Sequence, residues 1–152
     1  MIGRRASVMA AGAIALALAA CGGDGDERLS QAELREQGNA ICARYDKQID
    51  EIPVPSAVED IPAYVTKAAP IVEREIEALK ELDPPDEDQE TFDQMIAEEE
   101  KTLAAGRSLG DAAEKGDDAA VEKALNEGNL ASDKADEHAR TLGLDDCVDA
   151  GE

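Results

Sequence analysis

Apolar residues recur at intervals of three and four along most of this chain, and no stretch alternates with the period of two that a half-buried strand requires. Proline and glycine cut the pattern into four segments, which predicts four helices joined by short turns. The first begins near Ser30. Ser30-Gln31-Ala32-Glu33 fits a capping box, in which the serine and glutamate side chains each accept from a free amide at the helix start. Leu34, Ile41, Tyr45, Ile49 and Ile52 then share one face with Cys42 beside it. Pro53 and Pro55 end the helix, because neither can donate the next backbone bond.

The second helix is expected from about Asp60 to Leu82, with Pro62 tolerated in its first turn. Ile61, Val65, Ala68, Val72, Ile76, Leu79 and Leu82 form its inward stripe, and Pro70 predicts a kink within it. Asp83-Pro84-Pro85-Asp86 is a stop and a turn. The third helix follows from about Glu87 to Lys115, with Phe92, Met95, Ile96, Leu103, Leu109 and Ala113 inward. Gly116-Asp117 supplies a left-handed cap and then an N-cap. The fourth helix covers Asp118 to Leu142, places Val121, Leu125, Ala131, Ala135, Ala139 and Leu142 inside, and ends at Gly143. Four amphipathic helices with short connections predict an all-α fold, an up-down-up-down four-helix bundle with the last helix beside the first.

A different kind of sequence precedes the helices. Arg4 and Arg5 lead into Ala6–Ala20, an uncharged, mostly apolar run of fifteen residues. A bilayer span needs about 20. Leu18-Ala19-Ala20-Cys21 resembles the lipobox of bacterial lipoproteins, whose cysteine is lipidated and becomes the first residue of the mature chain. The alternative is ordinary signal cleavage after Ala20, which prefers a small residue where this chain has Leu18. The resemblance implies a signal peptide over residues 1–20 and a lipidated, flexible acidic tether over 21–28. A single domain over 29–152 would then sit at the outer face of the cell membrane. The tether's eight residues reach at most about 28 Å. Asp24-Gly25-Asp26 looks like a calcium-loop fragment but lacks the later ligands, so it reads as tether. Arg4-Arg5 lack the rest of a twin-arginine motif, which favours the general secretory route.

Removing residues 1–20 takes away Arg4 and Arg5 and no acid, so the formal net charge moves from −21 to −23. Such a charge excludes nucleic acid as a partner, because phosphates need a basic surface. It also leaves the acyl anchor as the membrane contact, since no polybasic patch exists to hold anionic lipid. With no Trp, one Phe and two Tyr, the core must be aliphatic and rich in alanine, and a staple would help it. With Cys21 carrying lipid, Cys42 and Cys147 are the two cysteines left, in a compartment that permits disulfides. A redox-active pair is the alternative, but there is no Cys-x-x-Cys and no basic neighbourhood to lower a thiol pKa. In the expected bundle Cys147 can reach Cys42, with Cα atoms within about 7 Å. Asn39-Ala40-Ile41-Cys42-Ala43-Arg44, Leu82-Asp83-Pro84-Pro85 and Gly143-Leu144-Asp145-Asp146-Cys147 resemble a group of small exported helical proteins common in high-GC Gram-positive bacteria. That resemblance spans nearly all of the chain after Cys21; it implies a fold and a compartment and brings no catalytic residue.

Motifs for chemistry are sparse. His138 is the one histidine, and residue 135, three before it, is Ala where a di-iron bundle needs Glu. No His-Glu-x-x-His or phosphate loop occurs, and neither Ser108 nor Ser132 has a histidine one helical turn away. The acids of Asp83–Glu90, Glu98-Glu99-Glu100, Asp117-Asp118 and Asp145-Asp146 match no dedicated metal cage and read as a solvated, solubilising surface. Gly106 and Gly110 lie four apart on the third helix, and a turn near residue 116 would set Gly106 close to Ala124 and Gly128 on the fourth. Small residues on both helices mean either close backbone approach or a groove for a small ligand or partner helix. The chain therefore reads as a non-catalytic binding or scaffolding module at the cell envelope, without cofactor or metal, contacting an envelope protein. The alternative is a carrier of a small ligand or a weak binder of divalent cations. Cys21→Ser is expected to release the protein from membranes on cell fractionation; continued retention would show that something other than lipid holds it.

Overall fold

The computed structural model describes residues 28–148. They form α1 (Gln31–Asp50), α2 (Ile61–Lys80), α3 (Gln89–Lys115) and α4 (Asp118–Leu142), with short 3-10 turns at Val58–Asp60 and Asp145–Cys147. The described residues are all helix and turn, arranged as a four-helix bundle whose largest interface joins α3 to α4, followed by α2 with α3.

Local chemistry sets the helix ends. At the start of α1 the Ser30 amide donates to Glu33 Oε2 at 2.9 Å, and the Glu33 amide donates to Ser30 Oγ at 3.3 Å. The Ser30 hydroxyl and amide hold the Glu33 carboxyl below the usual carboxylate range, because both bonds favour its charged form. Pro62 occupies the first turn of α2, and the helix continues through an exposed Pro70. Gly116 and Gly143 close α3 and α4 at φ of 65° and 74°, in the left-handed region that other residues adopt only with strain. Asp117 then caps α4, its side chain accepting from the Ala120 amide at 3.0 Å.

Packing rearranges the faces that periodicity suggests. On α1 the buried line is Leu34, Gly38 and Cys42, while Ile41, Tyr45 and Ile49 are only partly buried on its flank. The α3–α4 seam is built on small side chains. Ala105 and Ala112 are buried on α3, and Ala124, Ala131, Ala135 and Ala139 on α4. Leu125, expected inside, is 43% exposed. At about 100° per residue it stands roughly a quarter turn from the alanine line, so close helix approach turns it outward. The larger side chains Leu34, Ile76, Leu79, Phe92 and Met95 gather instead near the end where α2 passes into α3.

The expected contact between the first and last helices is made mostly through a strap, residues 143–148, which runs back along α1. Leu144 is wholly buried against Gly38, where a side-chain methyl would fall 2.6 Å from Leu144 Cδ2. Arg35 Nε donates to the Leu142 carbonyl at 3.0 Å, and Asn39 Nδ2 donates to the Gly143 carbonyl at 3.2 Å. The Asp146 amide returns a bond to Asn39 Oδ1 at 2.9 Å. Cys42 and Cys147 are disulfide-bonded with Cα atoms 5.1 Å apart, across 105 residues of sequence.

At the other end of α1, Arg28 fixes the entry of the chain. It donates to the Pro84 carbonyl at 3.0 Å and to Gln89 Oε1 at 2.8 Å, and lies 3.2 Å from an Asp86 carboxylate oxygen. The Leu29 amide donates to the Asp83 carbonyl at 2.8 Å. The ordered fold thus includes Arg28, assigned from sequence to the tether. Among the described residues no helix is long and apolar enough to cross a membrane. Replacing Cys42 and Cys147 together by serine is expected to lower unfolding stability by about 2–4 kcal/mol, read from urea melts against the oxidised wild type. An unchanged midpoint would mean that Leu144 and the polar contacts hold the strap unaided.

Candidate functional site

Among the described residues the strap covers α1 only as far as Cys42, and beyond that point an open groove of about 270 Å3 lies between α1, α2 and α3. Ala68 and Val72 of α2 and Leu103 and Gly106 of α3 line it, with Ile49 of α1 and Tyr64 of α2 toward one end. Asp146, Cys147 and Val148 of the strap close the other end, so the disulfide is itself part of the wall. Four carboxylates stand around this apolar lining: Asp46, Glu75, Glu99 and Asp146. Among the described lining residues none is lysine, arginine or histidine, and Asp46, Glu75 and Glu99 are each already engaged in an interaction of their own.

The three glycines singled out from sequence are not brought together. A methyl group on Gly106 would meet nothing within 4 Å, and the residue opens onto the groove. Gly110 faces α2, where a methyl would lie 3.2 Å from Val65 Cβ. Gly128 faces Ala105 of α3, at 3.5 Å. Gly106, expected close to Ala124 and Gly128, does not meet α4: Ala105 takes the place against Gly128, and both α3 glycines are turned toward the α2 side. Close approach and groove both occur, the first at Gly110 and the second at Gly106.

The consecutive acids of α3 separate for the same geometric reason, since neighbouring helical residues point about 100° apart. Glu98 accepts from Lys101 Nζ at 2.7 Å on the side facing α4. Glu99 faces the groove, and Glu100 pairs with Lys80 of α2. The Lys101 hydrogen bond holds the Glu98 carboxyl below the usual range against the opposing effect of its burial, with Lys134 and His138 adding to the lowering. His138 is therefore a half-buried neighbour of a carboxylate on the α3–α4 side. That side carries a second, more open crease of about 350 Å3, lined by Glu98, Lys101, Leu130 and Lys134 among others and mixed in charge. Among the described residues no three of His, Cys, Asp and Glu converge to hold a metal ion.

Leu18, Ala19, Ala20 and Cys21 lie outside the described residues, as does Asp24-Gly25-Asp26. Asp46, Tyr64 and Glu75 were not legible as site residues. Asp46 has a local signal, one turn beyond Cys42 on the same face, but Glu75 and Glu99 look like any other acid of an acidic helical surface. Compared with protein-family models, curated proteins and solved structures, the chain matches none.

The two α3 glycines should respond oppositely to alanine. Gly106→Ala is expected to raise stability by about 0.5–1 kcal/mol, because it removes backbone freedom from the unfolded chain and meets no obstacle. Gly110→Ala must displace the stiff, branched Val65 and is expected to cost about 1–3 kcal/mol. Denaturant melts of both variants check the assignment.

Proposed function

We propose that this protein is a non-catalytic binding module carried at the outer face of the cell membrane by lipid on Cys21, with the groove between α1, α2 and α3 as its ligand site. The groove is the observation that carries the reading: about 270 Å3 of apolar-lined space, open at Gly106, where a methyl group would meet nothing within 4 Å. Small-molecule sites run from roughly 300 Å3 upward, so at about 270 Å3 this groove falls just short of that range and suits only a compact ligand. The resemblance of Leu18-Ala19-Ala20-Cys21 to a lipobox supports the anchorage, and the Cys42–Cys147 disulfide fits an oxidising compartment. The proposed tether leads into Arg28, so the domain would hang by the end that holds the α2–α3 turn.

A second reading, contact with an envelope protein, is favoured by Val54 and Val58. They are 82% and 44% exposed in the connection between α1 and α2, at the opposite end of the bundle from Arg28. Scattered exposed apolar residues are common on any surface, so the groove carries more weight. Wild type and Gly106→Leu, extracted from membranes in mild detergent, separate the two readings by native mass spectrometry combined with in-cell crosslinking. A small added mass on the wild type that is lost from Gly106→Leu is the expected result. A protein neighbour crosslinked equally to both forms, with no small mass on either, replaces the groove by the scaffolding reading. Neither a small mass nor a neighbour overturns the binding role.

A further inference from the structure

We infer that Cys147 is a site of thiol modification: its half-buried side chain stands in the wall of the groove, where a low-molecular-weight thiol can attack the disulfide and unlatch the strap from α1. The inference uses the groove as a route of access and does not depend on what else the groove binds. Its basis is an asymmetry between the two halves of the disulfide. Among the described residues Cys147 lines the open groove with Asp146 and Val148, whereas Cys42 is 1% exposed and takes no part in that lining. Thiol exchange depends on which sulfur an attacking thiolate can reach. A small thiol in the groove meets Cys147. To meet Cys42 it would have to enter the core that holds Leu34, Ile76 and Met95.

The exchange runs in two steps. The thiolate sulfur bonds to Cys147 Sγ, the bond to Cys42 breaks, and its electron pair leaves on Cys42 Sγ, which takes up a proton. A second thiol then attacks the reagent's sulfur in the mixed disulfide, which yields the reagent's own disulfide and leaves Cys147 as a thiol. Two small thiols are oxidised, and the protein gains two electrons and two protons. The strap then opens in one place. Leu144 is wholly buried, its amide donates to the Ala139 carbonyl, and Arg35 and Asn39 donate to the Leu142 and Gly143 carbonyls. None of these contacts needs the disulfide. Beyond Leu144 the strap is held to α1 by the disulfide and by the Asp146 amide donating to Asn39 Oδ1. Residues 145–148 are therefore a latch hinged at Leu144, and its release takes Asp146, Cys147 and Val148 out of the groove wall.

The test uses the full, oxidised chain carrying Cys21→Ser, which leaves Cys42 and Cys147 as its two cysteines. It is treated with 2-mercaptoethanol in native buffer, quenched with iodoacetamide and mapped by peptide mass. The trapped intermediate is expected to carry mercaptoethanol on Cys147 and the alkyl group on Cys42. The rate should rise in proportion to thiol concentration and lie less than roughly 10³-fold below that of the urea-unfolded chain, since a reaction confined to unfolded molecules would be slower by at least that factor. Gly106→Leu, which narrows the groove, should slow the reaction several-fold with the circular dichroism unchanged; the adduct's position and the urea comparison decide independently of that variant. In the chain with Cys42→Ser and Cys147→Ser, the Asp146 amide should exchange with solvent about tenfold faster or more, while the Leu144 amide keeps its protection. An adduct on Cys42, a rate that reaches only the unfolding-limited value, or an undiminished rate in folded Gly106→Leu overturns the access route. An Asp146 amide as protected as in the oxidised chain, or a Leu144 amide lost along with it, overturns the latch.

Discussion

The strap from Gly143 to Val148 is the contact on which the arrangement depends. It begins where Gly143 turns the chain out of α4, inserts Leu144 against Gly38, and ends in the disulfide to Cys42. Direct packing of α1 on α4 is slight, so this segment substitutes for a helix–helix interface. The substitution has a physical reason. A chain with one Phe, no Trp and many alanines has little large apolar surface with which to hold a fourth helix in place. A covalent bond across 105 residues and one buried leucine supply what the core lacks.

The same strap makes the groove. It lies beside the first half of α1, and its Asp146, Cys147 and Val148 line the groove against the second half of α1, α2 and α3. The site and the staple are therefore one construction: Cys147 is both a disulfide partner and a wall. Alanine packing contributes from the other side. Ala105 and Gly128 bring α3 and α4 close, which fixes the rotation of α3 and turns Gly106 and Glu99 into the groove.

Much of the fold was legible because helix ends are written locally. Ser30 with Glu33, Pro53, Gly116-Asp117 and Gly143 each act on backbone groups within a few residues, and the helix ends they mark lie within three residues of those signals. The disulfide was legible from cysteine number once Cys21 was set aside. Helix rotation was not. Alanine favours helix and fits either a core or a surface, so a face made of it sends little directional signal, and Leu125 drew the expected stripe toward itself. The acids misled in the opposite sense. Glu98, Glu99 and Glu100 are neighbours in sequence but part company around the helix, whereas Asp46, Glu75, Glu99 and Asp146 are remote in sequence and border one opening.

The sequence alone determined the helices, their order, their limits and the pair of cysteines that closes the fold, because each rests on short-range backbone chemistry or on residue identity. Only the tertiary structure decided which side of α3 meets α4, where the strap lies, and that an apolar groove bordered by carboxylates opens beyond it. Those outcomes depend on how small side chains let helices approach. That approach is fixed by all the packed elements together, and the period of no single helix contains it.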